Sequence, residues 1–512
     1  MKSQTKTQKP ARLNSSFIWI GLTQALTVIG AWAIAVGENV FRVFALGSVT
    51  MAMLVSLVIS FEAGLTAMIF FEPFRGFLRR LQYLVVPYSQ SEPIHLITPV
   101  VTFVAFLLLL QRQKLEIFRA TPLAGAVSIL AAVYFIQIFN PLQGSLFVGL
   151  TGALFFLVPV VWFYFGQSAQ PEFVPKVLRL VVILSIAASF YGVYQMVFGY
   201  PAFEQYWIDN TDLYSSIAVY NVKRALATFN SAEEWGRYVQ LGCIVAFGLG
   251  ISRTEGNKRL FWLAGGVVLM AMLALTGQRS SIFGLFLGLI VLFLTGAGSA
   301  RAVFARLTLL CAPLVLIFAL SAFVSDDDGH DLNEGESVNA MLTHTTKGTV
   351  KPAGEGSLYA RFQTWTRIIT EDLPSNPIGN GIGADGLAAS RETNNTDDPT
   401  DNHFLSVALS AGVPAALLLI WIFVRSLILS FRLWRNSDPD SPDYGLWRIA
   451  LALIASFFLN NFFGTSFTIY SVAPIGWLVI GWISVAYSRA LYEEDREQPE
   501  TEFIPFGRNS YK

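Results

Sequence analysis

The chain has 512 residues, 54% hydrophobic and 14% charged, where an ordinary soluble protein carries about 25% charged residues. With a mean hydropathy of +0.52, it is neither a soluble globular enzyme nor a disordered chain nor a coiled coil. Its 35 basic residues balance 35 acidic ones, so no net basic field points to nucleic acid.

A bilayer core of about 30 Å calls for about 20 apolar residues of helix. Runs that fit this reading follow one another at 17–36, 43–60, 94–110, 121–138, 144–165, 176–198, 237–252, 259–276, 280–297, 303–324, 403–424, 447–464 and 470–488. They are apolar on every side, unlike the one-faced helices of soluble proteins. Alternating segments of a β-barrel are missing, and helices are the remaining spanning structure. The chain therefore reads as all-α, a polytopic transmembrane helical protein of about 12–14 spans. Lys2, Lys6, Lys9 and Arg12 precede the first run, which resembles a signal peptide; its length favours an uncleaved first helix. Cys243 and Cys311 both sit in apolar runs, which argues against a disulfide framework or a thiolate metal site.

Lysines and arginines in short loops set the orientation. Arg112, Lys114 and Arg119, then Arg253, Lys258 and Arg259, then Arg301, then Arg425, Arg432 and Arg435 all face the cytoplasm in one threading. That threading puts 199–236, 277–280 and 325–402 outside and the tail 489–512 inside. Ahead of residue 94 it conflicts with the charges. Arg75, Arg79 and Arg80 lie in 72–93, a stretch read as a cytoplasmic or interfacial connector, yet the threading places it outside. An inside C-terminus after this set of spans also implies an outside N-terminus, against its four positive charges. Either 43–71 hides a further pass or re-entrant piece, or one span is misread.

Two external segments are too long to be simple connections. The first, 199–236, carries Lys223-Arg224-Ala225-Leu226-Ala227-Thr228-Phe229, then Glu233, Glu234 and Arg237. Between 259–276 and 280–297 the turn is only Thr276-Gly277-Gln278-Arg279-Ser280. A cation at that depth is costly and marks a functional site, and on the outside it suggests an anionic partner. The second segment, 325–402, opens with the acidic, polar stretch 325–357, which reads as solvated and flexible. A helical period follows over 358–373, with Arg361 and Trp365 one turn apart, ended by Pro374. The glycine-rich run Ile378-Gly379-Asn380-Gly381-Ile382-Gly383 lacks the strand and helix of a phosphate loop. It reads as a tight turn that sets where the next helix begins. Asp401-Asn402-His403 stands at the head of span 403–424. His403 titrates near neutrality at an expected membrane boundary, where it is suited to deprotonating a hydroxyl. His95, His330 and His344 show no metal-ligand spacing with it, so neither metal nor cofactor is called for. Arg224, Arg279 and Arg361 have the planar fork that binds phosphate oxygens.

These motifs, in this order and on this side, resemble the O-antigen ligase and polysaccharide polymerase superfamily of bacterial inner-membrane proteins. The resemblance runs from about Arg224 to Leu418: Arg-Ala-x-x-Thr-Phe at 224–229, the turn around Arg279, Arg361 with Trp365, Asn376–Gly383, and Asn402-His403-Phe404-Leu405 leading to Gly412. It implies a GT-C-like helical fold and a donor glycan on undecaprenyl pyrophosphate. Transfer to an acceptor hydroxyl, on a lipid A core or a growing polysaccharide, would take place on the periplasmic face without a metal. Arg224 and Arg279, assisted by Arg361, would bind and stabilise the pyrophosphate, and His403 would position or deprotonate the acceptor. Asp401, Asn402, Gln278 and Trp365 would support them. On this reading the chain divides into N-terminal spans and connector (1–93), a core (94–324), the long external loop (325–402), C-terminal spans (403–488) and a cytoplasmic tail (489–512). A competing class is a transporter or flippase for a glycolipid or small anion. Span interiors nearly free of charge and the lack of an internal repeat favour surface chemistry instead.

Overall fold

The computed structural model describes residues 38–89, 92–119, 121–211, 218–219, 222–296, 301, 356–385 and 400–497. The runs 17–36 and 303–324, the acidic stretch up to 355, His330, His344 and Cys311 lie outside them. The described residues are helical apart from one two-residue-per-strand ladder, β1 (Ala218–Val219) against β2 (Val222–Lys223), antiparallel with Val219 opposite Val222. In chain order the helices are α1 (Glu38–Ile59), α2 (Phe61–Leu81), α3 (Ile97–Gln113), α4 (Ala124–Gln137), α5 (Leu146–Ser168), α6 (Phe173–Phe198) and α7 (Ala202–Asn210). They continue with α8 (Ala232–Ile251), α9 (Arg259–Leu275), α10 (Arg279–Thr295), α11 (Gly356–Arg367), α12 (His403–Ala411), α13 (Val413–Asn436), α14 (Pro442–Asn460) and α15 (Ala473–Glu497). Eight described helices are long and apolar enough to cross a membrane, and α4 and α10 are shorter apolar helices. The fold is that of a polytopic helical membrane protein.

α8 runs through the middle of the bundle, packed on α6, α9, α10 and α14. It is buried from Trp235 to Ala246 without interruption. Its N-terminus is closed by the pair Ser231 and Glu234: the Ser231 hydroxyl accepts from the Glu234 amide at 3.1 Å, and the Glu234 carboxylate reaches back to the Asn230 amide at 3.1 Å.

Residues 61–81 correct the connector reading. They form α2, which folds back on α1 after Ser60 and packs against α6 and α7. Glu62, Glu72, Arg75, Arg79, Arg80 and Pro73 lower its hydropathy below that of a span. Glu72, Arg75, Arg79 and Arg80 are buried inside the bundle: Glu72 pairs with Arg75 at 3.4 Å, Arg80 with Glu204 at 2.7 Å, Thr98 donates to Glu72, and Arg79 lies over the Trp207 ring at 5.3 Å. So the span interiors are less charge-free than the sequence suggests. The two ends of the bundle can be told apart by contacts. At one end Arg112 lies over the Phe61 ring at 6.0 Å, and Glu62 accepts from the Gln170 amide at 2.9 Å. At the other, Arg42 pairs with Glu92 at 3.1 Å, and Phe77 donates to the Thr228 carbonyl at 2.8 Å. The C-terminal half of α2 thus shares an end with 199–236.

The run 403–424 is not one span. α12 ends at Gly412, whose φ of +95° is a region open to glycine, and α13 turns back along it. Phe404 and Phe423 have ring centroids 6.1 Å apart. Along a straight helix, at about 1.5 Å per residue, they would lie about 28 Å apart. The glycine-rich turn locks this reversal. Asn380 and Gly381 donate to the carbonyls of Leu409 and Ser410 at 2.8 and 3.0 Å, and Val413 donates to Pro377 at 2.9 Å. It therefore fixes the far end of α12 rather than its beginning. α11 continues through a π-helical turn at Ile368–Asp372 to Ser375, with Pro374 inside its last turn rather than ending it.

Candidate functional site

The polar residues gather where the N-terminal turns of α8 meet the turn before α10, the start of α12 and the segment after α14. Arg224 lies on the loop leading into α8. That loop is held from below: Arg80 donates to the carbonyls of Phe229 and Ala227 at 2.5 and 2.6 Å, and Gln195 Oε1 accepts from the amides of Leu226 and Ala227. Ala227 adopts φ +49°, a conformation costing a non-glycine residue on the order of 1–3 kcal/mol that its surroundings must sustain. The Tyr200 hydroxyl donates to the Arg224 carbonyl. The Arg224 guanidinium donates through Nη2 to the Thr276 carbonyl at 3.2 Å, while its buried Nε has no partner. Burial pulls this guanidinium below the ordinary arginine range, Glu233 opposes that shift, and Arg279 adds to it. Arg224 and Arg279 are therefore electrostatic neighbours.

Arg279 is the first residue of α10, after Gly277 at φ +70°. The same turn docks on α8: a Cβ on Gly236 would meet Gln278 Cβ at 2.8 Å. Glycine at 236 thus lets the Arg279 turn reach the head of α8. Gln278 serves that docking, its own amide donating to Thr276 Oγ1 at 3.2 Å.

One turn deeper on α8 lies Arg237, a residue not singled out for the site from sequence. It is 1% exposed. Its Nη2 donates to Glu233 at 3.3 Å and to the Phe463 carbonyl at 3.2 Å, while Nε and Nη1 are buried without a partner. The signal was available: a cation at the head of an apolar run is expensive unless it serves a ligand. A guanidinium with orphaned donors, within the field of Arg361, is suited to oxyanions.

Arg361 and Trp365 approach from α11. Trp365 faces the Phe463 ring at 6.2 Å. Arg361 donates from Nε and Nη2 to one Asp401 oxygen at 2.8 Å each, in a half-exposed pair. Asp401 also feels the charges of Glu233 and Arg237, which ties α11 to the head of α8. Asp401 thus engages Arg361. Asn402 caps α12, its side-chain oxygen accepting from the amides of Phe404 and Leu405 at 3.0 and 3.1 Å.

His403 is not on an open boundary. It is 3% exposed, its ring stacked on Phe156 at 6.0 Å and 11° and near Phe467 at 6.2 Å. Its amide donates to the Asn461 carbonyl at 2.8 Å, and its Nδ1 has no partner. The fold-back of α12 puts the histidine inside the protein rather than on its rim. Asn461, fully buried, has neither side-chain oxygen nor nitrogen paired.

The structure therefore brings Arg224 to Arg279, Arg361 to Asp401, and both sets to the head of α8, with His403 two residues from Phe463 by way of Asn461. Residues 264–420 match the family model described as O-Antigen ligase, which supports placing the chain in the O-antigen ligase superfamily. No curated protein matches the chain. The matched segment holds Gln278, Arg279, Arg361, Trp365, Asp401, Asn402 and His403; Arg224 and Arg237 lie before it.

Proposed function

We propose that this membrane enzyme of the O-antigen ligase and polymerase type transfers a glycan from undecaprenyl pyrophosphate to an acceptor hydroxyl on the periplasmic face of a bacterial inner membrane. The observation that carries the reading is that Arg224, beside Arg279, and Arg237, beside Arg361, both face Glu233 at the head of α8, with orphaned donors on Arg224 and Arg237. Pyrophosphate is an activated leaving group, so the enzyme has chiefly to orient the reactants and stabilise charge as it develops. The acceptor oxygen attacks the anomeric carbon and the bond to the pyrophosphate oxygen breaks. The electron pair goes to the pyrophosphate, held by the arginines, and the hydroxyl proton to the His403 imidazole, which positions the acceptor. Arg361, engaged by Asp401, assists by fixing α11 over the site.

The orientation rests on loop charges. With α2 added as a crossing and 17–36 read as a span, Lys2, Lys6, Lys9 and Arg12 join the other basic loops on the cytoplasmic side. Arg75, Arg79 and Arg80 no longer oppose the threading, because they are buried among carboxylates and aromatic rings rather than exposed in a loop. The acceptor is a lipid A core for a ligase and a growing polysaccharide for a polymerase.

The test is substitution in cells that depend on the chain for surface glycan. His403→Ala and Arg279→Ala should each abolish transfer while membrane abundance stays at the wild-type level. Arg279→Lys should recover little, because a point charge lacks the planar fork. Loss of protein together with loss of product would assign these residues to folding instead.

A further inference from the structure

At the end of the bundle remote from this site, α13, α14 and α15 border an open groove of about 780 Å³ lined by Leu427, Ile428, Phe431, Arg432, Arg435, Asn436, Leu451 and Tyr487. That volume is in the range of small-molecule sites, about 300–1,000 Å³. Its lining is graded along the membrane normal. Leu427 lies about 21 Å along α13 from Val413 and Arg435 about 33 Å, at about 1.5 Å per residue. The inner wall is aliphatic and aromatic, from Leu427, Ile428, Phe431 and Leu451. The mouth is cationic and polar, where Arg432 and Arg435 are one turn apart on the same helix face. Arg432 donates to the Tyr487 hydroxyl at 3.0 Å across the groove. Among the described residues no carboxylate pairs with Arg432 or Arg435. The nearest acidic residue in sequence, Asp438, accepts from the Asp440 amide.

We propose that this groove is a binding site for an anionic phospholipid of the cytoplasmic leaflet, its phosphate between Arg432 and Arg435 and its acyl chains along Leu427, Ile428 and Phe431. The choice of occupant rests on the direction of the gradient. A free phosphate uses only the mouth, and a zwitterionic lipid carries beside its phosphate a cation of its own, which the two arginines repel. A phosphodiester amphiphile matches both halves in one orientation, and basic pockets between transmembrane helices on the cytoplasmic side suit such headgroups. Arginine adds bidentate hydrogen bonds to the charge attraction. The leaflet rests on the orientation proposed above, whereas lipid retention is read without the transfer reaction.

The test is native mass spectrometry of the full chain released from nanodiscs of phosphatidylcholine doped with phosphatidylglycerol or cardiolipin. Wild type should retain an anionic lipid and shed phosphatidylcholine. The double variant Arg432→Ala/Arg435→Ala should bind it about thirtyfold more weakly, from about 1 kcal/mol for each basic residue. Arg112→Ala, an arginine of the same end away from the groove, should bind as wild type. Leu427→Trp fills the apolar wall without touching the arginines and should also expel the lipid, which covers the case of a double variant that does not fold. Equal retention of neutral and anionic lipid, or equal loss in Arg112→Ala, would overturn the assignment. Binding of inorganic phosphate alone, with no lipid retained, would reassign the mouth to a free anion and equally overturn it.

Discussion

Removing the Arg80 guanidinium should cost more than any surface change in the molecule. Arg80 and Glu204 are 1% and 0% exposed and meet at 2.7 Å. The same guanidinium donates to two carbonyls of the loop that presents Arg224. In Arg80→Met, Glu204 keeps the Gln195 amide at 2.7 Å, but a buried carboxylate has lost its cation. Breaking such a pair from one side costs about 3–5 kcal/mol, a large part of the roughly 5–15 kcal/mol that holds a typical protein together. Replacing both partners, Arg80→Met with Glu204→Leu, removes the uncompensated charge and should restore part of the loss. The assay is a double-mutant cycle on unfolding free energy in nanodiscs, with proteolysis of the 224–230 loop as a local readout. A double variant more stable than Arg80→Met alone, with the loop still more readily cleaved than in wild type, is the expected outcome. Single variants within about 1 kcal/mol of wild type, the range of an exposed pair, or strictly additive losses, would refute the reasoning.

Other changes isolate single features. Arg237→Lys keeps a charge at the head of α8 but loses the planar fork, and should lower transfer on the order of a hundredfold, the scale of removing one charge-stabilising donor, with little change in melting temperature; unchanged turnover would remove Arg237 from the site. Gly412→Ala forces a Cβ to 2.5 Å from the Ile378 carbonyl at φ +95° and should destabilise the α12–α13 reversal by at least about 1–3 kcal/mol. Gly47→Ala, on α1 with open space around it, should instead stabilise by about 0.5–1 kcal/mol through helix propensity. Equal melting temperatures for these two glycine variants would contradict the fold-back geometry.

The helical membrane class is plain in the sequence, because runs of apolar residues leave the backbone no other way to cross a bilayer. α2 was not, for the opposite reason: its charges make it look like a loop until Glu204, Glu92, Glu234 and Thr98 are found beside it. The pairing of Arg80 with Glu204 joins residues 124 positions apart and leaves no local pattern. The reversal at Gly412 is hidden too, since α12 and α13 together have the hydropathy of one span, and contacts distant in sequence, such as Phe404–Phe423 and Val413–Pro377, separate the two cases. Of the site, the outlying cations were legible as outliers: Arg279 by its short turn, Arg224 by its motif. Arg237, at the edge of an apolar run and behind Glu233 and Glu234, reads in sequence as one of a charged cluster rather than as a buried cation. Roles were less legible than positions. Asp401 lies two residues before His403 but engages Arg361, and Asn402 completes a helix cap; successive residues at a helix start point in different directions. His403 was expected at a rim, and only the fold-back explains its burial under Phe156 and Phe467.

The most direct test of the central claim is reconstitution. Purified chain is placed in liposomes with a synthetic undecaprenyl-pyrophosphate glycan, with acceptor and with EDTA, and the release of undecaprenyl pyrophosphate and the length of the glycan are followed for wild type and His403→Ala. The account predicts release coupled to chain growth or to capture by a lipid A core in wild type, and neither in the variant. Movement of the intact lipid or of a small anion across the bilayer, with no release whatever the acceptor, would contradict it.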